Sequence, residues 1–175
     1  AGHMCALNAA GEALCWGGNS DGQATVRQVQ LRSLVAGDRH ACGLDPEHKP
    51  VCWGSSNTAQ GDIRVQAYQR LTAASGHTCG IDATDQLVCS GVGNFFISFP
   101  PEGFFVDVGA GDNHTCALDR EGRATCWGRD LDGVLEPPPG QYRSIDGGGL
   151  WATTAFACAL TLVEGNIVCW GNNES

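Results

Sequence analysis

Residues 111–128 read GDNHTCALDREGRATCWG, and variants of this stretch recur along the whole chain. The first cysteine of the stretch recurs at steps of 37, 37, 37 and 42 residues, and the second at steps of 37, 37, 37 and 43. The first position is Cys5, Cys42, Cys79, Cys116 and Cys158, and the second is Cys15, Cys52, Cys89, Cys126 and Cys169. Columns of leucine or isoleucine, and of glycine, keep the same phase, which identifies an array of five repeats.

Each repeat predicts a β-hairpin between its two cysteines. Asp119 begins a turn and Gly122 stands three positions later, a pattern typical of a type I turn followed by a left-handed residue. His48 and Asp85 replace this glycine in the second and third repeats, and both residue types enter the left-handed region more readily than most. The fifth hairpin has one extra residue and needs a longer loop. The predicted hairpins span residues 3–17, 40–54, 77–91, 114–128 and 156–171.

The hairpin register predicts how the cysteines pair. Counting outward from the turn places the two cysteines of a repeat opposite each other at a non-hydrogen-bonded site, where Cα atoms are about 4.5 Å apart and a disulfide is tolerated. The predicted disulfides are Cys5–Cys15, Cys42–Cys52, Cys79–Cys89, Cys116–Cys126 and Cys158–Cys169. Zinc binding by the His-x-Cys motifs is the alternative, but equivalent residues of a repeat array do not converge on one ion. We therefore expect no metal and no cofactor.

Alternation along the strands indicates how the hairpins pack. Leu7 and its equivalents share a face with the cysteines, and the opposite face carries the columns of Ala6 and Leu14, which are also small or apolar. Both faces are therefore covered, as in radially stacked blades. No helical periodicity longer than one turn is present, so the predicted fold class is all-β.

The composition limits the functions to consider. The chain has 175 residues and a net charge of −9, which argues against a surface that binds nucleic acid. Ten cysteines that all pair indicate an oxidising compartment, so we expect an extracellular or secreted protein. No apolar run is long enough to predict a membrane span. We recognise no signal peptide within residues 1–175, and because the sequence starts at Ala1 and not at a methionine, we expect that an upstream part was removed or left out.

The motifs Gly-x-x-His-x-Cys and Cys-Trp-Gly, as in residues 111–128, resemble the repeat of the regulator of chromosome condensation (RCC1) family. The short, cysteine-paired variety is similar to ectodomain repeats of CRINKLY-type receptor kinases and to repeats of secreted bacterial and algal proteins. The resemblance covers essentially the whole chain. It implies a β-propeller of four-stranded blades, usually seven, that binds proteins such as a small GTPase, a β-lactamase or a receptor ligand.

The connection lengths indicate an incomplete ring. Between hairpins the chain has 26 residues, as in 16–41, whereas only 4 residues precede Cys5 and 6 follow Cys169. The two ends together are shorter than one connection. We therefore expect residues 1–175 to form a single repeat array that is part of a longer chain and of a ring of about seven blades.

Several repeated or acidic features suggest sites, but each has a simpler structural interpretation. A histidine precedes four of the first cysteines by two positions, and we expect it to bond backbone in a neighbouring loop rather than to bind metal. The tryptophans could form a light-sensing cluster, but Ser90 replaces one of them, so we expect packing residues. The acidic segments 19–22 and 130–133 lack the remaining ligands of a calcium loop and are expected to be ordinary turns. The histidines are His3, His40, His77 and His114, and the tryptophans are Trp16, Trp53, Trp127 and Trp170.

Departures from the repeat mark candidate contact and modification sites. Five of the six phenylalanines lie in one connection, 92–113, and the fifth repeat contains an insertion near residues 147–154. Local repacking is one interpretation, and a protein contact is the other, because exposed aromatic residues on a rigid scaffold are typical binding anchors. Asn113 and Asn173 lie in sequons for N-glycosylation. The candidate contact residues are Phe95, Phe96, Phe99, Phe104 and Trp151.

The sequence favours a non-enzymatic function. It contains no nucleophile–base pair, no phosphate-binding loop and, with all cysteines paired, no free thiol. The predicted function is an extracellular protein-recognition module of the receptor or adhesion type, with a protein or a neighbouring subunit as partner. The alternative is a building block of an extracellular coat, sheath or filament. Nucleotide exchange on a small GTPase is a poorer alternative, because the paired cysteines would be reduced in the cytosol.

Overall fold

The computed structural model describes residues 2–57, 60–63, 67–91, 97, 99–150 and 154–172. These residues form β-strands joined by turns, as predicted. No helix in the described part of the chain is long and apolar enough to cross a membrane. The strands are β1 (His3–Leu7), β2 (Ala13–Gly17), β3 (Ser33–Ala36), β4 (His40–Leu44), β5 (Pro50–Gly54), β6 (Tyr68–Ala73), β7 (His77–Asp82), β8 (Leu87–Gly91), β9 (Phe105–Ala110), β10 (His114–Asp119), β11 (Ala124–Gly128), β12 (Tyr142–Leu150), β13 (Thr154–Thr161) and β14 (Ile167–Gly171).

The strands form five small antiparallel sheets, which we call blades 1 to 5 in chain order. Blade 1 is β1-β2, and the other four are β3-β4-β5, β6-β7-β8, β9-β10-β11 and β12-β13-β14. The all-β array of repeated blades is confirmed, and the ring is open. Blades 2 to 5 have three strands each within the described residues, one fewer than expected.

Local turn chemistry closes each hairpin. The Asp119 side chain accepts hydrogen bonds from the backbone N–H groups of Glu121 and Arg123, at 3.0 and 2.9 Å. His48 and Asp85 have φ angles of 65° and 64°, so both adopt the left-handed conformation that the sequence predicted for them. A non-glycine residue can hold this conformation here because the side chain that opens the loop bonds the loop backbone.

The hairpin register places the cysteines of each blade directly opposite each other, as in the pair Cys79–Cys89. Their Cα atoms are 4.0 to 4.1 Å apart in all five hairpins. All ten cysteines are in disulfides, and none is free. The structure contains the disulfides Cys5–Cys15, Cys42–Cys52, Cys79–Cys89, Cys116–Cys126 and Cys158–Cys169.

The hydrophobic core lies between neighbouring blades. Each blade has a cysteine face, which carries its disulfide and the leucine or isoleucine of the repeat, and an opposite tryptophan face. In every joint the cysteine face of one blade packs on the tryptophan face of the next. Cys116 and Leu118 of blade 4, for example, pack against Ala157 and Trp170 of blade 5. The same arrangement joins blades 1 and 2, 2 and 3, and 3 and 4.

The inner strands β3, β6, β9 and β12 lie beside one another and connect the blades through polar contacts. The backbone N–H of Ala110 donates to the Thr72 hydroxyl at 3.1 Å. Asp107 accepts a hydrogen bond from the backbone N–H of Ile145 at 3.1 Å, and its carboxylate pairs with Arg70 at 3.1 Å. These bonds link successive blades at their inner edge.

Candidate interaction surface

The repeated histidines lie inside the joints between blades. The His40 ring bonds the Thr78 hydroxyl at 2.7 Å, and the His77 ring bonds the Thr115 hydroxyl at 2.9 Å. The expectation of a backbone partner was therefore wrong for these two histidines. The threonine stands just before the first cysteine of the next blade, and its hydroxyl reaches the ring across the joint.

The other two histidines of the column face a different residue type. The position that threonine occupies opposite His40 is alanine for His114 and His3, namely Ala157 and Ala41. The His114 ring lies beside the backbone of Phe156, but among the described residues neither of its nitrogens makes a well-formed hydrogen bond. The same holds for His3. The column thus contains two rings that each bond a threonine and two that do not, and His40 Nδ1 is also buried without a partner among the described residues.

Burial keeps three of these histidines neutral. Removal from water lowers the pKa of His40, His77 and His114 to about 4. Neutral imidazoles could bind a metal, but no group of three or more histidine, cysteine or acidic residues is placed to hold one in the described part of the chain. The histidines therefore act as packing and hydrogen-bonding residues of the joints.

The two calcium-like segments are turns in the structure. The Asn19 side chain accepts a hydrogen bond from the backbone N–H of Ala24 at 2.9 Å, and Gly22 N–H bonds the Asn19 carbonyl at 3.2 Å. In the second segment, Asp132 accepts a hydrogen bond from the Asn172 amide at 3.1 Å. The side chains of Asn19 and Asp132 thus bond other parts of the chain.

The connection between blades 3 and 4 presents two aromatic side chains to solvent. Phe99 is 68% exposed and Phe104 is 59% exposed. Residues 86–87 and 100–104 line a cavity of about 430 Å³ beside them. The candidates Phe95, Phe96 and Trp151 lie outside the described residues. Two of the five candidate contact residues are thus exposed in one connection, and we call Phe99, Phe104 and the residues that line this cavity the phenylalanine surface.

A charged network adjoins the phenylalanine surface. The Arg120 guanidinium lies 5.8 Å from the centre of the Phe104 ring, a cation–π distance. Arg120 also forms an ion pair with Asp85, whose other carboxylate oxygen accepts from the Gln69 amide at 2.7 Å. These hydrogen bonds, chiefly that from Arg120, lower the pKa of Asp85. The backbone N–H of Phe105 donates to the Asp85 carbonyl at 2.8 Å, which ties the connection to the hairpin tip.

Another exposed apolar feature escaped the sequence analysis. Leu162 and Val163 are exposed at the tip of the fifth hairpin. The sequence of the longer loop in this hairpin could have predicted the feature. This loop contains two branched apolar residues, whereas the other four hairpin tips contain mainly small or polar residues. The sequon residue Asn113 is half-buried in the turn between β9 and β10, and Asn173 lies outside the described residues.

Comparison with known proteins bears on the repeat and on the fold. A family model described as the regulator of chromosome condensation (RCC1) repeat matches residues 1–23 and 105–133. Among curated protein sequences, none matches this chain. The CRINKLY WD40 ectodomain of the Arabidopsis thaliana receptor kinase ACR4 is similar, with 25% identity and a TM-score of 0.79 over 97% of this chain and 67% of that one.

Two further solved structures have the same fold. The entire ectodomain of the Physcomitrella patens receptor kinase CR4 is 28% identical, with a TM-score of 0.79 over 98% of this chain and 50% of that one. Prp20p from Saccharomyces cerevisiae, described with its binding to Gsp1p and histones, is 16% identical, with a TM-score of 0.78 over 97% of this chain and 56% of that one. The chain thus spans from half to two thirds of the length of these proteins.

The fold and the paired cysteines together define an open array of β-propeller blades, each closed by one disulfide. The repeats of this chain are thus similar to RCC1 repeats of the cysteine-paired variety, as the sequence resemblance predicted.

Proposed function

We propose that this chain is a non-enzymatic, extracellular protein-recognition module of the receptor or adhesion type. The observation that carries the proposal is the phenylalanine surface, where Phe99 and Phe104 are exposed on a scaffold that disulfides hold rigid. The similarity to two receptor kinase ectodomains supports the same function.

The chemistry of the phenylalanine surface suits a protein partner. Exposed aromatic rings and arginine are the residue types that contribute most to binding energy in protein interfaces. Arg120 is already oriented by Asp85 and by the Phe104 ring, so little side-chain freedom is lost when a partner covers it. We expect the partner to bury both rings and to present an acidic or carbonyl group to Arg120.

The disulfides support an extracellular location. Five disulfides in one array persist in secreted proteins and are rare in the reducing cytosol. Nucleotide exchange on a small GTPase is less well supported, since the likeness to Prp20p concerns the fold alone. A building block of an extracellular coat, sheath or filament is a second candidate, which the exposed aromatic side chains of the same connection also suit.

An affinity pull-down experiment tests the recognition function. The biotinylated chain is added to the extracellular and cell-surface proteins of the organism that produces it, and captured partners are identified by mass spectrometry. We expect the double variant Phe99→Ala/Phe104→Ala to lose the partner that the unmodified chain captures. The matched control is Leu162→Ala/Val163→Ala, which removes two other exposed apolar side chains and should retain capture. Equal capture by all three proteins would contradict the proposal.

A further inference from the structure

A cavity lies where the turns after the four inner strands meet. These turns follow β3, β6, β9 and β12 and lie at the ends of the blades opposite the hairpin tips. Residues 36–38, 73–75, 110–112 and 147–149 line this cavity, which encloses about 270 Å³ and which we call the turn cavity. Blades 2 to 5 each contribute three of these residues, so the cavity is formed by the array and not by a single blade.

The turn cavity is separate from the phenylalanine surface. Phe104 precedes the first residue of β9, whereas Ala110, the last residue of this strand, lines the turn cavity. A strand of six residues spans about 15–20 Å. A small ligand in the turn cavity therefore does not contact the phenylalanine surface, and its binding is independent of the recognition function proposed above.

The size and lining of the turn cavity suit a small ligand. Ten of the twelve lining residues are glycine, alanine or serine. Packing between the turns explains part of this, because a Cβ added at Gly37 would clash with the carbonyl oxygen of Ala74. Sites for drug-sized ligands measure about 300–1,000 Å³. The turn cavity is smaller, and no aromatic side chain of the described residues lines it, so it suits a compact head group rather than a sugar or a base.

The charged residues of the turn cavity are both acidic. Asp38 and Asp112 occupy the same position of the repeat, two residues before the histidine. No lysine or arginine is among the described residues that line the cavity. The Asp38 carboxylate favours the protonated form of the buried His40 ring, although burial has the stronger effect and lowers the pKa of His40. The electrostatic potential in the cavity is therefore negative, which favours a cation.

Two buried histidines beside the turn cavity have a ring nitrogen without a hydrogen-bond partner. His40 is 1% exposed and His114 is 0% exposed, and the Nδ1 atom of each lacks a partner among the described residues. A Cβ added at Gly37 would lie 2.8 Å from His40 Nδ1, and a Cβ added at Gly111 would lie 2.7 Å from His114 Nδ1. Both glycines line the cavity. An unprotonated imidazole nitrogen accepts a hydrogen bond, so a donor in the cavity can supply the partner that these rings lack.

We propose that the turn cavity binds a primary ammonium group, carried by a lysine side chain or by a small amine, with Asp38 and Asp112 as its counter-charges. An ammonium group is a compact point charge with three N–H donors, which carboxylates and unprotonated imidazole nitrogens accept. A metal ion would need three or more ligands at fixed distances. The described residues contain no such group of histidine, cysteine and acidic side chains.

Titration followed by nuclear magnetic resonance tests the site with two probes, Nα-acetyl-lysine amide and butylamine. We expect the backbone amide signals of Gly37 and Gly111 to shift and saturate, with a Kd on the order of 1 mM for a ligand of this size. Nα-acetyl-norleucine amide has the same apolar stem without the ammonium group and should cause no saturable shift. Equal affinity of the two amines would assign the binding to the ammonium group alone, and tighter binding of the lysine amide would show that peptide groups contribute.

Substitutions at Ser75 test the role of charge without removing a carboxylate. Ser75 lines the cavity at the repeat position that Asp38 and Asp112 occupy in their blades. Ser75→Asp should tighten the binding of both amines by about three- to tenfold, and Ser75→Lys should weaken it by at least as much.

Ser20→Asp and Ser20→Lys are the matched controls, because they change the net charge equally at an exposed turn outside the cavity and should leave the affinity unchanged. The dispersion of the amide spectrum checks that each variant is folded. The absence of a saturable shift with either amine would overturn the proposal. Equal binding of the norleucine amide would overturn it too, as would an affinity that the two substitutions at Ser75 do not change.

Discussion

His77 and Thr115 bond at 2.9 Å across the joint between blades 3 and 4, and both side chains are buried. The bond joins residues 38 positions apart, so it acts between repeats and not within a hairpin. It shows that the joints contain a specific polar contact within their apolar surroundings.

Thr115→Val should destabilise the fold because it keeps the shape and removes the hydroxyl. A buried ring nitrogen then lacks its partner, which costs about 1–3 kcal/mol in the free energy of unfolding. The matched control is Thr125→Val, on the exposed strand position two residues before Trp127. Urea denaturation of both variants measures the difference. Equal stability of the two variants would contradict the role of the bond.

Ala157→Thr should stabilise the fold because it supplies the hydroxyl that His114 lacks. The substitution reproduces the pair formed by His77 and Thr115, so we expect a gain of about 1 kcal/mol in the free energy of unfolding. Ala159→Thr adds the same atoms to a buried alanine that does not belong to this column, and it should destabilise. Urea denaturation compares the two, and a loss of stability in both would contradict the prediction.

As the pH falls, the array should lose stability at a higher pH than that at which its carboxylates become protonated. Burial lowers the pKa of His40, His77 and His114 to about 4, below the ordinary value of 6.5. The unfolded chain therefore binds protons at a higher pH than the folded chain. Stability is complete above pH 6.5 and falls between pH 6.5 and 4, by about 2 kcal/mol for each histidine at pH 5. Urea denaturation at pH 7.5 and 5.0 measures the loss.

The variant His77→Gln isolates the contribution of one buried histidine to the loss of stability in acid. Glutamine keeps a side chain that can bond Thr115 but does not titrate, so the difference in stability between pH 7.5 and 5.0 should shrink by about 2 kcal/mol. An unchanged pH dependence in this variant, or a flat one in the unmodified chain, would show that the buried histidines do not govern acid stability.

Features set by residues close in sequence were predictable. The left-handed conformations of His48 and Asp85 follow from a short turn, and the disulfides follow from the hairpin register. The partner of His77 was missed because it lies one repeat away, although the threonines before two of the first cysteines were a visible signal.

The candidate surface was less predictable because its segment is irregular. Ile97 is buried, and its carbonyl accepts the Trp127 indole N–H at 2.9 Å, whereas Phe99 two residues later is exposed. The high phenylalanine content marked this connection as unusual. Because apolar residues do not alternate regularly along it, the sequence does not reveal which of its apolar side chains are buried. Which side chains are buried depends on contacts with the neighbouring blade.

The measurement that tests the account most directly is a count of thiols in the protein isolated from its natural source. The native chain is denatured in the presence of an alkylating reagent, without reduction, and then digested and analysed by mass spectrometry. We predict no alkylated cysteine and five disulfide-linked pairs, each within one hairpin, as in Cys79–Cys89. Ten alkylated cysteines would contradict both the disulfide-paired array and its extracellular location.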